Sequence, residues 1–242
     1  MDIKSKAITN EGDKLDSADR KARNISLAAG VLYLLTFVSM PTLAIYGPVK
    51  GANYILGAGP DASAIIGGIM EIIVALAGIA TAVVLFPVLK KQNEGLALGL
   101  VASRTLEAGT MFAGVAFLLS IVTLRQAGAG ADALATSHGL AALYERIFLL
   151  GQGFMPAIND LLLGFLLYKS RLVPRALSLV GIAGGPVLFI GYFAVLFGLI
   201  GQRAPVAGLF AVPVALFEFA LGVWLIVKGF NASAFIALES KK

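Results

Sequence analysis

The sequence predicts an all-α membrane protein, a bundle of six transmembrane helices with both termini in the cytoplasm. Of its 242 residues, 58% are hydrophobic and only 14% are charged, whereas soluble domains carry about 25% charged residues. The mean hydropathy is +0.88. The apolar residues form long continuous runs, which exclude a transmembrane β-barrel because barrel strands alternate in short segments.

Six apolar stretches are each long enough to cross the hydrocarbon of a bilayer as a helix, which takes about 20 residues. Together they define one transmembrane domain over residues 25–228, with a polar tail on either side. Residues 1–24 carry both signs of charge and precede the first apolar run, so we expect a mobile cytoplasmic tail without a cleavable signal peptide. Residues 229–242 form the second cytoplasmic tail. The predicted spans are 25–46, 65–89, 96–124, 147–168, 176–200 and 205–227.

The distribution of lysine and arginine predicts the orientation. With a cytoplasmic amino terminus, the inner segments hold fourteen of these residues and the outer segments hold four. The positive-inside rule therefore places both termini in the cytoplasm. The same rule accounts for the net charge of +5 without a nucleic-acid partner, so the expected partner is the lipid bilayer.

Small-residue faces such as Gly181 with Gly185 could support a homo-oligomer, which the sequence leaves undetermined.

The rare polar residue types exclude several functions. The chain has no cysteine and a single histidine, so thiolate metal sites, bis-histidine haem and the HExxH zinc motif have no ligands. Ser137 and His138 are adjacent, but neighbouring residues on a helix point about 100° apart and cannot form a nucleophile and its base. No nucleotide-binding or hydrolase motif is present. We therefore expect no enzyme, no cofactor and no metal.

Five ionisable residues lie inside the predicted spans: Glu71, Arg104, Glu107, Asp160 and Glu218. A charge at the centre of a bilayer costs about 2.5–3.5 kcal/mol even on the lenient insertion scale, so such residues face protein or water and often carry function. If all five were ionised, their charges would sum to −3, which a low-dielectric interior resists. The surplus acids must be protonated, solvated or paired with a cation from outside the chain.

Helical periodicity places the four acids on faces rich in small residues, which in membranes are the faces that pack against other helices. At a rise of 1.5 Å per residue, Glu107, Asp160 and Glu218 lie within about 5 Å of the midplane. Arg104 lies about 9 Å toward the cytoplasm and Glu71 about 9 Å toward the outside. Arg104 and Glu107 are three residues apart and can pair on one helix, and Asp160 or Glu218 could supply a second carboxylate.

Two functions fit this constellation equally well. In one, Arg104, Glu107, Asp160 and Glu218 form a ligand or proton site at the midplane that binds or transports a small cationic or protonatable ligand, with proton coupling. Glu71 is then either a hydrated acid or the outer step of a proton path. In the other, the protein is a non-transporting accessory or lipid-associated bundle, and the polar cluster is a structural clamp that fixes helix register.

Four short patterns resemble a known family. They lie at the start of the first span, around Arg104, at the end of the fourth span and along the last span. The first comprises Arg23 to Leu27, Ala28, Gly30, Leu32, Tyr33 and Leu34, and the second Arg104, Glu107 and Ala108. The third comprises Leu163, Gly164, 166–170, Pro174 and Arg175, and the fourth Glu218, Phe219, Gly222, Trp224, Leu225 and 227–229. Over about residues 23–230 the chain resembles the bacterial membrane proteins grouped as domain of unknown function 4386.

The resemblance implies a multi-pass protein of the bacterial cytoplasmic (inner) membrane with about six helices, and it implies no activity. Arg104, Glu107 and Glu218 match positions of the family pattern. Asp160, Glu71 and His138 have no counterpart in it. The residue chemistry and the resemblance therefore agree on the arginine, its neighbouring glutamate and the acid of the last span.

Overall fold

The computed structural model describes residues 3–38, 42, 44–51, 53–57 and 61–240, with the backbone alone for 3–16. Helices dominate these residues, and no strand occurs among them. The α-helices are α1 Ile3–Thr36, α2 Ala62–Leu89, α3 Glu94–Gln126, α4 Leu134–Phe148, α5 Met155–Ser170, α6 Arg175–Leu196, α7 Pro205–Val227 and α8 Ala232–Glu239. Short 3-10 turns lie at Pro48–Lys50, Tyr54–Leu56 and Gly130–Ala133, and a π-helical segment, Leu149–Gly153, joins α4 to α5.

Five helical runs are long and apolar enough to cross a membrane: Ala62–Leu89, Glu94–Gln126, Gly130–Ser170, Arg175–Leu196 and Pro205–Val227. They coincide with the second to sixth predicted spans, although the third run also includes α4 and the π segment. The first predicted span, 25–46, falls partly on residues outside the described ranges. The structure thus confirms an all-α protein with several helices long and apolar enough to cross a membrane, while the count of six and the orientation stay predictions.

The long helices form a closed ring. Going round it, α1 packs against α2, then come α3, α5, α6 and α7, and α7 returns to α1. Glycines permit the close approaches: a Cβ on Gly30 would lie 2.7 Å from the backbone oxygen of Gly222, and one on Gly164 would lie 3.0 Å from that of Ser178. Such contacts are how membrane helices associate, because lipid provides no hydrophobic force between them. In this ring α3 and α7 stand on opposite sides.

The two ends of the bundle differ. The end that carries residues 17–24 and α8, here called the terminal end, is tied by Glu239, which pairs with Lys21 at 3.3 Å and Lys91 at 3.6 Å. The opposite end, here called the capped end, is covered by the 3-10 turns between α1 and α2, where Lys50 pairs with Glu145 at 3.2 Å. The largest apolar cluster, which includes Leu85, Leu100, Leu163 and Leu221, fills the terminal half of the interior.

Both predicted tails contain helix. The segment predicted as a tail at 1–24 is helical from Ile3 onward and continues into the apolar part of α1 without a break. The segment at 229–242 forms α8, whose first turn is capped because the Asn231 side chain accepts a hydrogen bond from the backbone N–H of Ala234 at 3.2 Å. The mobility of these segments stays a prediction.

Pro156 occupies the first turn of α5. A proline costs little there, because the N–H that it lacks would have had no partner within the helix. Pro213 does lie inside its helix, α7, five residues before Glu218. The π segment and Pro156 together interrupt the regular α-helix shortly before Asp160.

Candidate functional site

Arg104 is the centre of a buried polar network at mid-height of the bundle. Its Nη1 donates to Glu107 Oε2 at 3.0 Å, and its Nη2 donates to an oxygen of Glu218. Arg104 is 4% exposed and Glu107 is 8% exposed. Since α3 carries Arg104 and α7 carries Glu218, the second ion pair crosses the interior and joins opposite walls of the ring.

Two uncharged side chains complete the network. Asn159 on α5 is fully buried, and its Nδ2 donates to the same Glu107 oxygen, Oε2, at 2.7 Å. The ring of Tyr33 on α1 lies 5.7 Å from the Arg104 guanidinium, within the range of a cation–π contact. The network therefore draws on four helices. Within the described residues, Arg104 Nε has no hydrogen-bond partner, so even this arginine is not fully satisfied.

A cavity of about 240 Å³ lies on the capped side of this network. Arg104, Glu107 and Glu218 all line it, and they are its only charged lining residues within the described part of the chain. The remaining lining is mostly apolar. Its most polar members apart from these three are Thr36, Thr42, Gln152 and Tyr192. An apolar wall with a few convergent polar groups is typical of a small-molecule site, and the volume lies below the roughly 300–1,000 Å³ of drug-sized pockets.

The two glutamates keep capacity for further hydrogen bonds. Arg104 and Asn159 both use Oε2 of Glu107, and Arg104 uses Oε1 of Glu218. Across the described residues no hydrogen bond occupies the other oxygen of either carboxylate. Those two oxygens can accept hydrogen bonds from a guest in the cavity. A guest that donates, or that carries positive charge, is therefore favoured over an anion.

Asp160 lies beside the network without joining it. Its side chain is fully buried, and among the described residues neither carboxyl oxygen has a hydrogen-bond partner. The cavity lining does not include it. It is close enough to interact electrostatically with Glu218, Arg104 and Glu107. A buried carboxylate without partners is costly, so Asp160 requires a proton, a water molecule or a cation.

Glu71 belongs to a separate pocket closer to the capped end. It is 1% exposed, and its Oε1 accepts a long hydrogen bond of 3.5 Å from the phenol of Tyr144. A narrow void lies between Glu71, Thr110, Gly114 and Tyr144. Because Thr110 and Gly114 lie one and two turns beyond Glu107 on α3, this pocket is displaced along the bundle axis from the Arg104 network.

The turns at the capped end are fixed by Asp61, the residue before α2. Asp61 accepts hydrogen bonds from Tyr54 at 2.7 Å and Gln126 at 3.0 Å, and it also pairs with Arg125. The hydrogen bond from Tyr54, followed by those from Gln126 and the charge of Arg125, holds the pKa of Asp61 below its ordinary value. Burial raises the pKa of Tyr54 to about 12, and the bond to Asp61 adds to this.

The structure groups the predicted site residues in three ways. It brings Arg104, Glu107 and Glu218 into direct contact, leaves Asp160 adjacent but unbonded, and places Glu71 in its own pocket. Sequence reasoning missed Asn159, whose side-chain amide donates to Glu107. It also missed Gln152 in the cavity wall. Both are amides within apolar runs, and a search for intramembrane polar residues of any charge would have found them.

Two further sequence observations can be placed. Ser137 is buried in α4 while His138 is exposed, so their side chains lie on different faces of the helix. In the described part of the chain, no group of three or more His, Asp or Glu side chains has a geometry that could hold a metal ion. Glu107 and Glu218 instead contact the guanidinium of Arg104.

The fold and this buried network define the class: an α-helical, multi-pass membrane protein with a polar site inside its bundle. The chain belongs to the family described as domain of unknown function (DUF4386), whose model matches residues 28–229. This match confirms the family suggested by the sequence patterns. No curated protein and no solved structure matches the chain.

Proposed function

We propose that this protein binds a small cationic or protonatable molecule in its central cavity and carries it across the membrane. One observation carries the proposal: Glu107 and Glu218 line a mid-height cavity, and each has a carboxylate oxygen that Arg104 leaves unused. Two carboxylates against one guanidinium give the site a formal charge of −1, which a monovalent cation would neutralise. The small volume favours a compact guest.

The geometry also supplies a candidate gate. The Arg104–Glu218 ion pair spans from α3 to α7 and lies between the cavity and the apolar cluster of the terminal half. Passage toward the terminal end would require this pair to separate. A cation that bound Glu218 would compete with Arg104 for the carboxylate, so ligand binding would itself weaken the closure. Proton transfer to Glu218 would have the same effect.

The positive-inside rule, applied to the lysines and arginines around α8 and residues 17–24, favours a cytoplasmic terminal end. The cavity then lies on the outer side of the Arg104 network. We propose the bacterial inner membrane as the protein's location, which the family resemblance supports. We assign no catalytic residue.

The test uses purified protein in lipid nanodiscs and pairs a cation with a neutral molecule of similar shape. Tetramethylammonium should raise the thermal unfolding temperature in a saturable manner, and tert-butanol at equal concentration should not. Glu218→Gln should abolish the shift, whereas Glu94→Gln, an exposed residue at the start of α3, should leave it intact. Proteoliposomes should then accumulate radiolabelled methylammonium only when Glu107 and Glu218 are present.

A specific observation supports a second function, the non-transporting clamp. Arg104 is held by two carboxylates and a tyrosine ring on three helices, which is also what a structural fastening needs. In that case Glu107→Gln and Glu218→Gln would lower stability without any dependence on the ammonium probe. Native protein that shows no cation-dependent shift and no uptake would favour the clamp over the carrier.

A further inference from the structure

Glu71 has the surroundings of a proton-exchanging group, although the central cavity does not include it. Its carboxyl group is 1% exposed, one oxygen accepts the 3.5 Å bond from Tyr144, and the other has no partner among the described residues. The ion pairs of the described residues do not include Glu71 either. It differs in this respect from Glu107 and Glu218, which both contact a guanidinium.

A second phenol lies nearby with an unsatisfied hydroxyl group. Tyr46 is fully buried, its Oη has no hydrogen-bond partner within the described part of the chain, and its ring packs edge-on against Tyr144 at 5.9 Å between centroids. Tyr46 Oη lies beside α2 at Gly68, because a Cβ there would lie 3.5 Å from it, an ordinary van der Waals contact. Gly68 and Glu71 are three residues apart on α2 and share a face. The two tyrosines therefore cover Glu71 on the side of the capped end.

Among the described residues, the cation that acts on Glu71 is Lys50. Its ammonium lies 4.8 Å from the centroid of the Tyr144 ring and forms an ion pair with Glu145. Lys50 acts on Glu71 through space, with Tyr144 between them. From α3, the residues that face Glu71 are Thr110, Met111 and Gly114, and none of them titrates.

The pocket of Glu71 adjoins the central cavity. Gln152, Met111 and Phe148 line both the narrow void at Glu71 and the cavity at Glu107. These three side chains are thus the wall between the two. Gln152 lies in the π segment, where helix geometry is looser than in a regular turn, and such segments frequently occur at functional sites.

We infer that Glu71 is a second site, specific for a proton, which it exchanges with water at the capped end. In the neutral form the proton sits on the Glu71 oxygen that has no hydrogen-bond partner among the described residues. On deprotonation the proton passes to water, and the carboxylate keeps the Tyr144 hydrogen bond and the field of Lys50. No other bond forms or breaks. Only the coupling of this site to cargo in the cavity, through the Gln152 wall, rests on the proposed function.

Infrared difference spectroscopy of the full chain in nanodiscs, between acidic and alkaline buffer, tests this inference. The native protein should show a carboxylic C=O stretching band that disappears in alkaline buffer and is missing from Glu71→Gln. Tyr144→Phe keeps the acid but removes its donor, so it should shift the position of that band. The control Glu94→Gln should leave it unchanged.

A native spectrum from which Glu71→Gln removes no pH-dependent C=O band would overturn the inference. A band that both proteins share belongs to another acid, such as Asp160, and does not support it. Should Glu71→Gln fail to fold, Tyr144→Phe decides the matter, since an unshifted band would then show that the titrating acid lies elsewhere. The proposed function fails separately: loss of tetramethylammonium binding in native protein would refute the carrier while leaving the Glu71 band in place.

Discussion

The Arg104 network and the Glu71 pocket are two buried acidic sites in the same bundle with opposite means of charge compensation. At the first, a guanidinium contacts two carboxylates directly, and an amide supports one of them. At the second, a carboxylate accepts one long hydrogen bond from a phenol, and the cation that acts on it, Lys50, is already paired with Glu145. A buried carboxylate that contacts a fixed cation of the protein can stay ionised and serve a structural role. A buried carboxylate without such a cation needs a bound proton or a bound cation to be neutralised.

Removing the cation at each site should give the largest difference in stability between the two sites. Arg104→Met leaves Glu107 and Glu218 buried without compensation, and breaking a buried pair in this way costs about 3–5 kcal/mol. Lys50→Met should cost less than this, because Arg203 also contacts Glu145 and continues to compensate its charge. Unfolding in nanodiscs, followed by tryptophan fluorescence, measures both. Equal losses would show that the two sites are compensated alike.

Asn159 and Asp160 are neighbours in sequence and should respond oppositely to neutral substitution. Asn159→Leu removes the hydrogen bond to the Glu107 carboxylate, and bonds to charged groups contribute about 1.5–3 kcal/mol. Asp160→Asn removes a carboxylate whose oxygens have no partner, so stability at neutral pH should be unchanged or higher. The unfolding temperatures of the two variants provide the comparison. A large loss in Asp160→Asn would place Asp160 inside the network after all.

The wall between the two sites should be intolerant of added volume. A Cβ on Gly151 would lie 1.8 Å from Thr110 Oγ1, so Gly151→Ala must displace the π segment or α3. We expect a loss of about 1–3 kcal/mol from this overpacking. Gly139→Ala on α4 is the matched control, because nothing lies within 4 Å of its added Cβ and alanine is the better helix former. A lower unfolding temperature for Gly139→Ala than for Gly151→Ala would contradict the close packing of Gly151 against Thr110.

The smallest effect concerns Asp61 at the capped end, which is hydrogen-bonded but near the surface. Its pKa is lowered in the folded protein, chiefly by the bond from Tyr54. A lowered pKa stabilises the fold above the ordinary value of about 3.9 and loses that contribution as the pH falls through the folded value. Asp61→Asn should therefore weaken the acid destabilisation of the capped end, measured by hydrogen exchange of the 3-10 turns below pH 4. An identical acid profile in variant and native protein would contradict this role.

Much of the architecture follows from hydropathy alone. The five runs that the structure shows begin and end within a few residues of the predicted spans, apart from the run that contains α4. That difference has a physical cause. The sequence from 130 to 146 is too polar and too rich in small residues to be recognised as part of a span, yet α4 packs against α3 and continues through the π segment into α5.

Helical periodicity also predicted the local pair of Arg104 and Glu107, because partners three residues apart need no knowledge of the fold. The choice of Glu218 rather than Asp160 as the second carboxylate could not be predicted. It depends on which helices stand opposite each other in the ring, and small residues are too common in this chain to reveal that order. The roles of Asn159 and Tyr33 could not be predicted for the same reason, since they arise only where four helices converge, although a search for polar residues would have found Asn159 itself.

The π segment at Leu149–Gly153 sets the directions in which the side chains of α4 and α5 point relative to each other. A regular helix turns about 100° per residue. One extra residue in a widened π turn therefore changes the direction in which the side chains after the turn point, relative to those before it. Tyr144 ahead of the segment points at Glu71, and Asn159 behind it points at Glu107. Deletion of a single residue there would shorten the chain very little, but it would turn one of these side chains away from its acid.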